Sequence, residues 1–112
     1  METKTIKQSR IEGDIEFDGL LVFENDVEIT GSLRARQVEA RKSIHVLKNY
    51  IVQEIDEVGW YQEVGWYQEV GGSQKVGEYQ KVGEYQKVGW YQEVGGYQEV
   101  GEYQKVGEYQ KV

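Results

Sequence analysis

From Val58 onward the chain repeats every six residues as V-G-x-Y-Q-[E/K], and that period limits what it can fold into. Val recurs from Val58, Val64 and Val70 through to Val106 and Val112, with Gly after every Val but the last. Tyr follows Val by three places, except where Ser73 stands, and Gln follows by four. Six is a multiple of the strand period of two and a poor match to 3.6. A Gly in every unit would cost a helix about 1 kcal/mol each. The repeat therefore predicts strands, with disorder of a polar, low-complexity tract as the rival.

The residues upstream of the repeat argue against disorder. With the Val position numbered 1, Ile11, Phe17, Phe23, Ile29 and Ala35 occupy position 1, and Ile15, Leu21, Val27 and Leu33 occupy position 5. After Ala35 the register slips by one residue. Ala40, Val46 and Val52 then fall in phase with Val58, with Val38, Ile44 and Tyr50 at position 5. One residue is missing near 36–37, which reads as a shortened corner in one coil. The expected organisation is a flexible segment over 1–10 and a continuous solenoid over 11–112. Residues 11–57 form its degenerate coils and 58–112 its regular repeats. An ordinary strand meander is the alternative for the upstream part.

Val64-Gly65-Trp66-Tyr67-Gln68-Glu69 resembles the hexapeptide-repeat family at its aliphatic and small first two positions, while Gln68 departs at the fifth, where that family prefers Ser, Thr, Ala or Val. The stretch from Ile11-Glu12-Gly13-Asp14-Ile15 to Val27-Glu28-Ile29-Thr30-Gly31-Ser32-Leu33 is similar to the bactofilin type of polymer-forming β-helix. The resemblance implies an all-β fold, a single-stranded parallel β-solenoid. It says less about function.

Side chains alternate along a strand, so positions 1 and 5 share a face. That predicts Val and Gln inside, Tyr and Glu/Lys outside, and positions 2 and 3 at corners, where Gly would supply positive φ. A buried unpaired amide costs about 1–3 kcal/mol. The Gln column must therefore form a ladder between coils or reach water near a corner. Charges at position 6 constrain the coil: with three hexads per turn, Glu63 meets Lys81, Lys75 meets Glu93, and only Lys87 meets Lys105 with like sign. Two hexads per turn does about as well. The triangular three-hexad coil is favoured because Phe17, Phe23 and the Gln side chains need interior width.

The chemistry available is narrow. With no Cys there is no disulfide, thiolate or Cys-based zinc site. Hexapeptide-repeat acyltransferases use a catalytic His, and the single His45 is predicted to point outward beside Lys42 and Lys48. The carboxylates are spread at fixed intervals and matched by Lys. No enzyme activity, metal or cofactor is expected. A net charge of −7 disfavours nucleic acid and anionic membranes as partners. The basic cluster Arg34, Arg36, Arg41, Lys42 and Lys48 reads as one charged edge. The opening Met1-Glu2-Thr3-Lys4 runs into polar sequence, which suggests the cytoplasm, or a host-cell cytoplasm for a viral protein.

The candidate interaction residues are aromatic. Tyr61, Tyr67, Tyr79, Tyr85, Tyr91, Tyr97, Tyr103 and Tyr109 are expected outside, with Trp60, Trp66 and Trp90 at corners. Exposed apolar rings of this kind mark interfaces. Val112 ends the sequence in mid-repeat and is a candidate assembly end. The expected function is a structural scaffold that self-associates into an oligomer or filament. The alternative is an acidic binding module or inhibitor, a nucleic-acid mimic that occupies a basic groove on a protein target.

Overall fold

The computed structural model describes all 112 residues, and every regular element in it is a strand. In chain order these are β1 (Glu2–Ile6), β2 (Arg10–Ile11), β3 (Ile15–Phe23), β4 (Val27–Ile29), β5 (Leu33–Ala40), β6 (Ile44–Val46) and β7 (Tyr50–Val58). One short strand per hexad follows: β8 (Tyr61–Val64), β9 (Tyr67–Val70), β10 (Ser73–Val76), β11 (Tyr79–Val82), β12 (Tyr85–Val88), β13 (Tyr91–Val94), β14 (Tyr97–Val100), β15 (Tyr103–Val106) and β16 (Tyr109–Lys111).

All pairings are parallel, and in the repeats each residue lies beside the one 18 positions on, as in Gln74 with Gln92 and Gln80 with Gln98. The chain is thus a parallel β-solenoid of about six turns, three hexads to a turn. Its longest dimension is 31 Å. The first face stacks β1, the later halves of β3, β5 and β7, then β10, β13 and β16. The second face stacks β2, β4, β6, β8, β11 and β14. The third stacks the earlier halves of β3, β5 and β7, then β9, β12 and β15.

The shortened corner sits at Arg36. Phe17 pairs with Ala35 and Leu20 with Gln37, so Arg36 alone stands over Asp18 and Gly19. On its other side, Ala35 pairs with Val52 and Gln37 with Ile55, leaving Gln53 and Glu54 opposite Arg36. Its guanidinium reaches both neighbouring coils, at 3.2 Å from Asp18 and 3.5 Å from Glu54.

Two expectations need correction. Residues 1–10 do not simply trail: Glu2–Ile6 forms β1, in register with Gly19–Phe23. Its Thr and Lys residues carry no apolar alternation, but the edge of β3 offers unpaired backbone groups that any extended segment can use. Only Ile6 of this strand is buried. The glycines after each Val do not adopt positive φ, since Gly13, at 86°, is the single glycine that does. They are needed because the coils nearly touch at that corner. A Cβ on Gly77 would stand 1.9 Å from the carbonyl oxygen of Gly59, and one on Gly95 1.8 Å from that of Gly77.

Candidate functional site: the amide core and the aromatic surface

The interior changes character halfway along the shaft. Its lower half is apolar: Leu21, Phe23, Ile29, Leu33, Ile44 and Val46 are fully or almost fully enclosed. Above it the Val column continues from Val58 to Val94, but position 5 becomes Gln. Gln62, Gln68, Gln74, Gln80, Gln86 and Gln92 have no solvent exposure. This is the arrangement expected from alternation, with Tyr outside.

From Gln80 to Gln92 each enclosed Gln is satisfied by other Gln side chains. Gln80 donates through Nε2 to Gln62 Oε1 at 2.7 Å and Gln68 Oε1 at 3.1 Å. Its own Oε1 accepts from Gln98 at 2.6 Å and Gln92 at 3.2 Å. The pattern recurs for Gln86 and Gln92, one bond running down a face and one crossing to the neighbouring face. The ladder is therefore a net joining all three faces.

At its lower end the net closes on Asp56, which also has no exposure. Asp56 Oδ2 accepts from Gln62 and from Gln74, both at 2.9 Å, and Oδ1 accepts from the Tyr50 hydroxyl at 2.5 Å. Burial pushes the Asp56 carboxyl above the ordinary carboxylate range, against the three hydrogen bonds that favour its charged form. Burial and the adjacent Asp56 push the Tyr50 hydroxyl well up. Sequence inspection missed Asp56. Its place at position 5, in phase with Tyr50 and Gln62, was the available signal.

The aromatic residues lie outside, but not on one face. Tyr61, Tyr79 and Tyr97 stack on the second face with centroids 4.8 and 5.2 Å apart. Tyr67, Tyr85 and Tyr103 stack on the third at 5.1 and 4.9 Å. Tyr91 and Tyr109 stack on the first at 5.3 Å. Stacking leaves the inner rungs half-buried, while Tyr97, Tyr103 and Tyr109 are exposed. The Tyr61 phenol is pushed up to about 12, chiefly by burial and then by its hydrogen bond to Glu63. The tryptophans occupy three different corners. Trp60 lies between first and second faces, Trp66 between second and third, and Trp90 between third and first. Each is about two-thirds exposed, at 64–66%. Val112 is also exposed.

The charges follow the expected columns. On the first face, Glu57, Lys75, Glu93 and Lys111 alternate in register, and on the third Lys87 lies beside Lys105. His45 points outward, but its nearest charged groups are Glu28 and Glu63, each 3.8 Å from one ring nitrogen, rather than Lys42 and Lys48. The basic residues do not form one edge. Arg36 pairs at the corner between third and first faces, and Arg41 pairs with Glu24 and Glu39 near the corner between first and second. No helix is long and apolar enough to cross a membrane.

Compared with known proteins, the chain matches no family model, no curated sequence and no solved structure, so its likeness to hexapeptide-repeat proteins stands at the level of the β-solenoid fold.

Proposed function

We propose that this chain is a non-enzymatic scaffold whose shaft self-associates sideways through its aromatic outer surface. The observation that carries this reading is the exposure of Trp60, Trp66 and Trp90, one at each corner. Trp is among the residues most enriched at the energetic centres of protein interfaces. Ile55 and Leu47, also exposed, enlarge the apolar surface. The interior supports a mechanical role: in the upper half its amides are bonded to one another across all three faces, which ties those coils together. With indoles at three corners, contacts form on more than one side, which favours open assemblies over a closed pair.

The acidic-rod alternative is the weaker reading, because Glu and Lys alternate along the first face rather than presenting one sign. Sedimentation velocity over a hundredfold concentration range, with and without Trp60, Trp66 and Trp90 changed to Ser, tests the proposal. Association that depends on these residues, and strengthens with salt as the −7 self-repulsion is screened, is the expected result. A strict monomer at every concentration refutes it.

A further inference from the structure

Two of the stacked tyrosine pairs combine a close ring partner with a carboxylate already bonded to one phenol. Tyr61 faces Tyr79 with centroids 4.8 Å apart and planes 6° from parallel. Tyr91 faces Tyr109 at 5.3 Å and 7°. Parallel register fixes these partners, since each lies beside the residue 18 positions on. The Tyr61 hydroxyl donates to Glu63 at 2.9 Å, and the Tyr91 hydroxyl to Glu93 at 2.8 Å. None of the four rings is fully buried, and Tyr109 is exposed. The chain has no Cys, so no disulfide can join one coil to the next.

We propose that Tyr61 with Tyr79, and Tyr91 with Tyr109, are sites of oxidative cross-linking, each pair closing to a dityrosine that staples adjacent coils. The reagent is a diffusible one-electron oxidant. Each phenol gives one electron to it and its hydroxyl proton to a base. For Tyr61 and Tyr91 the base is in place, because Glu63 and Glu93 already accept the hydrogen bond. The Tyr61 phenol, pushed up to about 12 chiefly by burial, stays protonated at neutral pH until oxidation draws the proton off. The two radicals, held face to face, join through a bond between ring carbons ortho to oxygen. The hydrogen on each joined carbon then shifts to its oxygen, which restores both phenols. Two electrons and two protons leave in all, and two equivalents of oxidant are reduced. Partners held in contact couple without a second encounter, so the link forms within one chain. Tyr85 and Tyr103 stack as closely, at 4.9 Å, but neither phenol is bonded to a carboxylate, and Lys87 and Lys105 flank them. That pair should couple more slowly.

The chemistry needs no second copy, so this inference goes beyond self-association and survives if the protein proves monomeric. The test uses tris(bipyridyl)ruthenium under brief illumination, with persulfate as the terminal electron acceptor. Dityrosine fluorescence is read in the monomer band of a denaturing gel, where links between chains run separately. Three reporter chains each keep one pair, Tyr61 with Tyr79, Tyr91 with Tyr109, or Tyr85 with Tyr103. The other ladder tyrosines become Phe, which preserves the stacks. The first two should give monomeric dityrosine at a yield independent of protein concentration, and the third should be several-fold slower. Glu63→Gln should slow the first several-fold. Circular dichroism shows whether each reporter is folded, and the wild-type chain gives the same readout without substitution. Absence of dityrosine from the folded wild-type monomer overturns the proposal. So does an equal yield from wild type unfolded in urea, or from a folded chain keeping only Tyr61 and Tyr91, which lie on different faces. A Glu63→Gln rate equal to that of its parent overturns the assignment of the carboxylate as base.

Discussion

Replacing Gln80 by Glu keeps the shape of the side chain and puts acceptors where the amide net needs donors. Gln80 Nε2 faces the carbonyl oxygens of Gln62 and Gln68, at 2.7 and 3.1 Å. A carboxylate there would meet two acceptors in a site with no solvent exposure. The cheapest escape is protonation, which limits the charge penalty. Against an unfolded pKa of about 4.3, holding a carboxylic acid neutral costs about 4 kcal/mol at pH 7.5 and about 1.6 kcal/mol at pH 5.5. The acid has one donor hydrogen where the amide has two, so one hydrogen bond is lost as well, worth about 1 kcal/mol. Gln80→Glu should therefore destabilise the chain by about 5 kcal/mol at pH 7.5 and about 2.5 kcal/mol at pH 5.5.

The sign follows from linkage. The new carboxyl has a folded pKa raised above its unfolded value, so the variant is most stable below about pH 4.3 and loses stability as pH rises toward the folded pKa. Urea unfolding followed by circular dichroism, at pH 5.5 and 7.5, measures the difference from wild type at each pH. Gln110→Glu supplies the control, because Gln110 is exposed and its change should cost little at either pH. A penalty for Gln80→Glu below about 1 kcal/mol and equal at both values would mean that water reaches position 80, and the dry amide net would be refuted.

Asp56→Asn removes the buried carboxyl. Since burial raises the Asp56 pKa, the wild type should lose stability relative to this variant as pH rises above the unfolded value of about 4 toward the folded pKa. Urea midpoints measured at a series of pH values from about 4 upward check it, and a constant difference would contradict the assignment. Gly77→Ala brings a methyl group against the Gly59 carbonyl, and should cost about 2–3 kcal/mol by overpacking, seen as a lower melting temperature. Tyr79→Ala deletes the middle ring of a three-ring stack. Two aromatic contacts worth about 0.5–1.5 kcal/mol each should go, and an unchanged urea midpoint would show that the ladder is only decoration.

Much of this architecture was legible because the solenoid enforces strict phase. Ile29 and Gln80 differ chemically, yet both face inward because both occupy the inward half of the strand period. Charge narrowed the coil to two or three hexads and interior width chose three, and Lys75 and Glu93 are indeed register neighbours at 18 residues. What escaped notice depends on contacts between backbones or on unique residues. Gly77 is required by a carbonyl one coil away, and nothing in a V-G dipeptide distinguishes that need from a positive φ. β1 is built by the edge of β3, not by its own side chains. The spread of tyrosines over three faces follows from the coil length itself: a residue six places on lies one face round. A single aromatic face was therefore never compatible with three hexads per turn.

The direction of the amide net explains why a carboxylate lies at its base. Every Gln from Gln80 to Gln92 donates toward lower coils and accepts from higher ones. The first amides therefore lack carbonyls below them, because Gln62 stands over Ile44 and Gln68 over Tyr50. Another Gln at position 56 would carry the same unmet donors one hexad lower. Asp56 ends the series because an ionised carboxylate accepts only, and it takes hydrogen bonds from Gln62, Gln74 and Tyr50 at once. Tyr50 completes the boundary: its ring belongs to the apolar core below, and its hydroxyl spends its one hydrogen on Asp56. The pair lets an oily interior and an amide interior share one shaft, with raised pKa values on both groups as the cost of the junction.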